Sequence, residues 1–386
     1  MFPRLSDLIF YLFGVNIPLP IAMFGFMVGL AFLAGHYFFT WEMQRKEAQG
    51  IFSPQHKTIT TNYDFNYNDL LWNSVFGFFM GFKLLPAITN YKAFVANPPE
   101  FILSGSGNFT AGIIGIALMV AYQYYEYNKN KNKPSQTVQV TVLAHSYVLN
   151  MIFIGAFTGL IGAKIFHNLE NINEFMANPM EALISFSGLT MYGGLIVASI
   201  CVLYYAHKNG LRMLDVADAC APTLMLGYAI GRMGCQLSGD GDWGVVNTLA
   251  KPFSAIPDWL WSFKYPHNVV SEGVPILGCE GQYCFELAQG VFPTPVYESI
   301  MCFALFGVLW LLRKRINASG VMFSLYLLLN GVERLGIESI RVNTQYNIMG
   351  GITQAQIIAT LLIIIGGIGI VYFKQKNKTA PLLKNY

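Results

Sequence analysis

Apolar residues fill the chain in runs of about 20 positions, separated by short polar stretches. A run of that length crosses a bilayer as a helix, because only a helix or a closed barrel satisfies its own backbone in lipid. The pattern predicts nine helices, over 18–39, 70–88, 109–126, 146–167, 190–206, 218–237, 297–312, 320–339 and 351–373. One stretch, 238–296, breaks it. It contains Gly239-Asp240-Gly241-Asp242-Trp243-Gly244, several prolines and a group of aromatic residues around Trp259. That is too long and too aromatic for a plain connector, so 238–296 is expected to form a small extramembrane loop or head.

Composition agrees with the pattern. Of 386 residues, 54% are hydrophobic and only 12% charged, against about 25% charged in a soluble domain. The expected fold is an all-α polytopic membrane protein, with residues 1–386 as a single membrane domain. Basic residues fall in short clusters between the spans, which excludes a nucleic-acid-binding face. The opening stretch Met1–Pro20 lacks a basic start followed by a small-residue cleavage site, so it is not read as a signal peptide.

The placement of Lys and Arg orients the chain. With the N-terminus outside, the inner loops hold Arg45, Lys46 and Lys57; Lys129, Lys131 and Lys133; Lys208 and Arg212; and Arg313, Lys314 and Arg315. The inner tail adds Lys374, Lys376, Lys378 and Lys384, while the outer segments hold only Arg4, Lys92, Lys251, Lys264 and Arg341. That bias puts the C-terminus inside. The remaining cations, Lys83, Lys164, Arg232 and Arg334, fall within spans, each toward the outer end. Cys279 and Cys284 share the outer loop. They are either bridged, as an oxidising compartment allows, or free.

An internal repeat is present. Residues 76–124 align with 157–205 at a constant offset of 81 without gaps. Identical pairs include Phe76/Phe157, Gly81/Gly162, Lys83/Lys164, Asn97/Asn178, Pro98/Pro179, Ser104/Ser185 and Gly112/Gly193. Each copy is helix, outer loop, helix, so the copies run parallel. They differ where chemistry is expected: the second carries Met191-Tyr192-Gly193-Gly194, the first Thr110-Ala111-Gly112-Ile113.

The chemistry rests on a few polar residues. Arg232 lies in Gly231-Arg232-Met233-Gly234. Arginine within a span costs at least about 2.5 kcal/mol near the bilayer centre. It is either a snorkelling anchor or, with glycines opening room beside it, a phosphate ligand. Arg334, Glu338 and Arg341 are spaced i, i+4 and i+7, either as an ion-pair ladder or with Glu338 orienting Arg334 toward a phosphate. Tyr192 is an interfacial tyrosine or a site hydroxyl, and Gly193-Gly194 beside it lets a backbone or a lipid come close. Three distant segments thus bring Arg232, Arg334 and Tyr192 to one depth at one face, which predicts an outward cavity for an anionic headgroup. The six histidines are scattered, and neither a metal-ligand set nor a nucleophile triad is visible, so no metal or cofactor is expected.

Several segments together resemble the prolipoprotein diacylglyceryl transferase family. They are Gly231-Arg232-Met233-Gly234 with the acid-rich turn to Gly244, Tyr192-Gly193-Gly194-Leu195, and Phe292-Pro293-Thr294-Pro295-Val296-Tyr297-Glu298. Glu333-Arg334 through Glu338 and Gly162-Ala163-Lys164 complete the set. The likeness covers about 18–40 and 150–375. It implies an enzyme of the bacterial plasma (inner) membrane. That enzyme transfers the sn-1,2-diacylglyceryl group of phosphatidylglycerol to the lipobox cysteine of a prolipoprotein signal peptide, and glycerol 1-phosphate leaves. It also implies that Arg232 and Arg334 bind the phosphate, that Tyr192 and Glu338 serve catalysis, and that Lys164, Gly193, Gly194, Gly234, Ser238, Asp240, Gly244, Tyr297, Glu298 and Arg341 line the substrate site. The chain departs from the family's pattern at Tyr192 (usually His), Cys235 (Asn) and Phe24 (Tyr), and residues 70–145 include an additional helix pair. Tyr192, Asp240 and Glu338 are the candidate bases for the acceptor thiol. Two other functions fit the residues: a non-catalytic relative that binds phospholipid or signal peptides, and a small-anion transporter.

Overall fold

The computed structural model describes every residue except 62–65, 97, 132, 134–135, 185–187, 343–344, 347–350 and 380–386. Asn97, Ser185 and Lys384 of the sequence reading therefore lie outside the described residues. The apolar runs form α2 (Met23–Ala48), α3 (Tyr67–Thr89), α4 (Phe109–Asn130), α5 (Val148–Glu170), α6 (Met191–Lys208), α7 (Met213–Ser238), α8 (Thr294–Leu312), α9 (Val321–Glu338) and α10 (Gln354–Thr379). A short α1 (Leu5–Phe13) precedes them. Each of the expected spans coincides with one of these long helices. Six, namely α2, α3, α5, α7, α8 and α10, are long and apolar enough to cross a membrane. The chain is therefore an all-α polytopic membrane protein.

The elements recur at the offset seen in the sequence, and over a longer stretch. Strand β1 (Gln55–Thr61) recurs as β2 (Gln136–Val142), and α3 recurs as α5. The short helices Tyr91–Ala96 and Pro98–Leu103 recur as Ile172–Ala177 and Pro179–Ile184. The strand sequences, rich in Thr, Val and Ile, suit an extended backbone. β1 and β2 pair antiparallel, and Thr58 faces Gln139, its own counterpart 81 residues on. Each helix pair crosses at glycines. A Cβ on Gly81 would stand 2.0 Å from the Ala111 carbonyl oxygen, and one on Gly162 would stand 2.7 Å from that of Gly193. Small residues let two helix backbones touch where lipid supplies no hydrophobic drive.

α7 is the central helix, buried against α2, α8 and α9. Its end fixes the site. Gly239 adopts φ 65° and returns its N–H to the Cys235 carbonyl, a left-handed cap that turns the chain back over the last helical turn. α8 starts at Thr294-Pro295, where proline suits the first turn, and the Thr294 hydroxyl donates to the Asp242 carbonyl at 2.8 Å. The segment between α7 and α8 is more than a connector. Trp243, Tyr265, Leu287 and Val291 bury one another, and the Met1 amine donates to the Pro266 carbonyl at 2.9 Å. Cys279 and Cys284 are joined in a disulfide.

Buried charge collects at the other end of α7. Glu42 of α2 pairs with Arg45 and with Arg313, whose guanidinium stacks on the Trp310 ring. Asp218 accepts the Gly320 and Phe323 backbone N–H groups at 2.7 and 2.8 Å, capping α9. Lys46 lies 4.0 Å from Asp215, which accepts the Ser319 hydroxyl at 2.6 Å.

Candidate functional site

The last turns of α7, the first of α8 and the last of α9 bring three guanidiniums together. Their hub is Glu298, which is fully buried. One of its oxygens meets the Arg334 guanidinium at 2.8 Å, and the other meets Arg232 Nε at 3.0 Å. Arg341 approaches at 3.4 Å, and the Tyr228 hydroxyl donates at 3.3 Å. A carboxylate in a helix core is tolerable only when paired and hydrogen-bonded, and here three cations share it. Arg232 and Arg341 are in turn bridged by Asp242, one oxygen to each. Arg334 also contacts Glu338 at 3.3 Å, and Glu338 accepts the Thr353 hydroxyl at 2.7 Å.

Two groups stand out by what they lack. The Nε of Arg334 is buried and has no hydrogen-bond partner among the described residues. Neither oxygen of Glu333, a neighbour of the cluster on α9 and 5% exposed, has one either. Outside the spans, Asp242 and Asp240 differ in acidity. Burial pushes the Asp242 carboxyl up, but the guanidiniums of Arg232 and Arg341 outweigh it and hold it below the usual carboxylate range. Burial, reinforced by the Asp242 charge, pushes Asp240 above it. The Cys235 sulfur and the carboxylates of Asp240 and Asp242 lie within 4.8 Å of one another. Both oxygens of Asp242 are already taken by arginines, so its charge is met by guanidiniums.

The structure brings together Arg232, Arg334, Arg341, Glu298 and Glu338, with Asp240 on the adjoining turn. Tyr192, the second residue of α6, lies within electrostatic reach of Arg334. Other residues of the sequence reading act elsewhere. Gly193 and Gly194 leave no open room, because a Cβ on Gly193 would stand 2.3 Å from Phe166 Cβ and one on Gly194 2.9 Å from the Gly159 carbonyl. They are the seam of α6 on α5. Gly234 packs on Met27 and Phe24 of α2 rather than beside the guanidinium, whereas Gly231 is open. The Ser238 hydroxyl donates to the Gly234 carbonyl at 2.9 Å, and Tyr297 donates to the Leu260 carbonyl at 2.6 Å. Lys164 sits half-buried on α5. Its counterpart Lys83 caps the Phe101 and Ser106 carbonyls at 2.9 and 2.8 Å.

One expectation needs correction. Arg341 does not share a helix face with Glu338, because α9 ends at Glu338. The chain instead turns so that Arg341 lies beside Gly244 in an isolated bridge, and its side chain reaches Asp242 and Glu298. Gly244 permits that approach, since a Cβ there would stand 2.5 Å from the Ile340 carbonyl oxygen. Glu298, expected among the substrate-lining residues, is the counter-charge of the arginines. Sequence reasoning gave no role to Asp242, Tyr228 or Glu333. The usable signal for Asp242 was charge balance: three buried arginines require nearby acids, and the turn after α7 supplies them.

Comparison with known proteins adds independent information. The family model described as prolipoprotein diacylglyceryl transferase matches residues 109–372, about two thirds of the chain. Among similar proteins is the phosphatidylglycerol–prolipoprotein diacylglyceryl transferase of Dehalococcoides mccartyi (strain ATCC BAA-2266 / KCTC 15142 / 195). It is 28% identical over 240 residues, covering 62% of this chain and 81% of the relative. Proteins of the same name from Clostridium tetani and Clostridioides difficile are 28% and 29% identical over 221 and 233 residues. Those alignments cover 57% and 60% of this chain, and 78% and 80% of the relatives.

Proposed function

The chain belongs to the prolipoprotein diacylglyceryl transferase family, and from that premise we propose how its arginine cluster serves the reaction. The protein transfers the diacylglyceryl group of phosphatidylglycerol to a prolipoprotein. The acceptor in this reading is the lipobox cysteine of the signal peptide. The observation that carries the reading is the shared grip of Arg232 and Arg334 on one carboxylate, Glu298. Two guanidiniums converging on one anion are arranged for a phosphate laid beside it, and the unpartnered Arg334 Nε is a donor still to be filled.

The acceptor thiolate attacks the glycerol carbon that bears the phosphate ester. The carbon–oxygen bond breaks, and glycerol 1-phosphate leaves with the electron pair. Charge grows on the phosphate as that bond breaks, so donors fixed around it stabilise the transition state more than the ground state. The nucleophile belongs to the substrate, so the protein need only bind the lipid, orient the peptide and help remove the thiol proton.

The membrane arrangement follows from charge and connectivity. In this reading all nine long helices span the bacterial plasma membrane, with the N-terminus outside and the C-terminus inside, supported by the Lys and Arg bias. Segment 238–296 is an extracytoplasmic head, supported by its own buried cluster. Residues 76–124 and 157–205 form a parallel internal repeat within one membrane domain, 1–386. The symmetric pairing of Thr58 with Gln139 supports a local two-fold axis perpendicular to the ribbon.

The test is transfer of labelled diacylglyceryl from phosphatidylglycerol to a lipobox peptide, in detergent or nanodiscs. Arg232→Ala and Arg334→Ala should each slow it at least about tenfold, the loss of one charge-assisted bond of 1.5–3 kcal/mol, and Lys should rescue only partly. Full activity of either Ala variant, with the protein folded, would remove the phosphate clamp. A wild-type protein that binds both substrates without transferring would make it a binding relative.

A further inference from the structure

The ion-paired side chains of the resting cluster balance. Arg232, Arg334 and Arg341 face Asp242, Glu298 and Glu338, three cations against three anions. A phosphate monoanion entering that set meets no net positive charge, so binding it requires one carboxylate to give way. Two cannot. Glu298 is fully buried on α8 under all three arginines, and Glu338 is buried on α9 and tied to Thr353. Asp242 differs in every respect. Its side chain is 32% exposed, and it stands on a turn rather than a helix. Gly239 and Gly241 precede it in that turn with φ 65° and 98°, left-handed conformations that glycine leaves and re-enters without steric cost. Its two oxygens occupy Arg232 Nη1 and Arg341 Nη2, as two oxygens of a phosphate would.

We propose that Asp242 holds the anion seat until the lipid phosphate displaces it, and that the displaced carboxylate is the base that ionises the acceptor thiol. This rests on the transferase reading given above and supplies the proton acceptor that reading lacks. The groups facing Asp242 are Arg232 and Cys235 from α7, Arg334 from α9, Arg341 beyond it and Asp240 on its own turn. While the arginines touch it, Asp242 is a weak base. Parted from them, it loses the guanidiniums that hold its carboxyl down, and so becomes a stronger one. Asp240 is a poorer candidate because its carboxyl is already engaged with the buried thiol of Cys235.

The step balances. The Asp242 carboxylate takes the proton of the cysteine thiol. The thiolate forms the carbon–sulfur bond as the carbon–oxygen bond of the phosphate ester breaks. The leaving glycerol phosphate, then a dianion, takes the proton from Asp242. Asp242 returns to Arg232 and Arg341 as the product departs, which makes the same carboxylate a competitor that helps product release. Lipid binding thereby precedes thiol activation.

The experiment compares full-length wild type with Asp242→Asn and Asp240→Asn in nanodiscs. Equilibrium binding of labelled phosphatidylglycerol is read alongside single-turnover transfer to a lipobox peptide at saturating lipid. Asp242→Asn should bind the lipid at least about tenfold tighter. It should also transfer at least about tenfold more slowly at neutral pH, and that deficit should shrink as pH rises toward the thiol pKa of about 8.5, where solvent supplies the thiolate. Asp240→Asn, which leaves Asp242 in its seat, should not show this tightening. Weaker lipid binding by Asp242→Asn would overturn the seat, and a deficit of constant size at every pH would overturn the base. Should the Asn variant fail to accumulate, Asp242→Ser carries the same two measurements. Lipid binding by wild type with no transfer at any pH would overturn the transferase reading itself, and this inference with it. Normal wild-type transfer with an unaltered Asp242→Asn would overturn this inference alone.

Discussion

The two ends of α7 carry charge clusters of similar make-up and opposite character. At the end near Asp215, Asp218 caps α9 through two backbone N–H groups, while Glu42 pairs with the side chains of Arg45 and Arg313 and Arg45 donates to the Arg313 carbonyl. At the other end the main contacts run between side chains, and one acid, Asp242, rides on a glycine turn. Among the described residues, Arg334 Nε and both Glu333 oxygens lack hydrogen-bond partners here, as Arg45 Nη1, Arg313 Nε and Asp215 Oδ2 do at the other end. Backbone partners fix a charge in place, while side-chain partners can be exchanged for those of a ligand. In the reading proposed above, similar residue types build a clamp for helices at one end and a seat for an anion at the other.

The largest test of that contrast is Glu298→Gln. Three arginines would lose their common counter-charge, which should cost about 3–5 kcal/mol, as removal of one partner from a buried pair does. Thermal unfolding in detergent should show the loss, and transfer should fall below detection. Wild-type transfer by this variant would show that the hub is not needed to hold the clamp. Glu42→Gln sharpens the comparison from the other side. Removing the partner of Arg45 and Arg313 should lower stability by about 1–3 kcal/mol, with transfer per folded molecule unchanged. A fall in turnover at equal folded fraction would mean that the two ends are coupled through α7.

Smaller effects separate neighbours at the active end. Tyr192→Ala should reduce transfer several-fold, because its hydroxyl lies within electrostatic reach of Arg334, whereas Tyr192→His should be tolerated. Equal activity of the Ala variant would leave Tyr192 as an interfacial residue. Glu333→Gln should be the mildest change. It breaks no hydrogen bond, and it replaces an unpartnered buried carboxyl by a neutral group of equal shape, so stability should hold or rise within about 1 kcal/mol. A marked loss of transfer by the folded Gln variant would give Glu333 a part in the chemistry.

Much of this was legible in the sequence. Apolar run length located every long helix, because in lipid a helix must satisfy its own backbone and few alternatives compete. The offset of 81 was visible as residue identities, and the extension of the recurrence to β1 and β2 was missed because short strands outside the spans leave a weak periodic signal. Arg232 and Arg334 were legible because an arginine in a span is costly and calls for a reason. Their acids were harder. Glu338 was found by helical spacing, but the same spacing misassigned Arg341, since where a helix ends depends on what it packs against.

The sequence alone determined which segments are helical, that Lys83, Lys164, Arg232 and Arg334 fall within helices and which family chemistry they resemble, because each of these depends on residue type and local spacing. Only the tertiary structure decided who faces whom. Of the two readings of Gly193-Gly194, close approach of a backbone or of a lipid, the structure gave the backbone, and the acids of a turn and of α8 closed on arginines from α7, α9 and the segment beyond it. Charge pairing acts through space with no fixed separation along the chain, so Glu298 and Asp242 acquire their roles only once three helix ends and one glycine turn have been brought together.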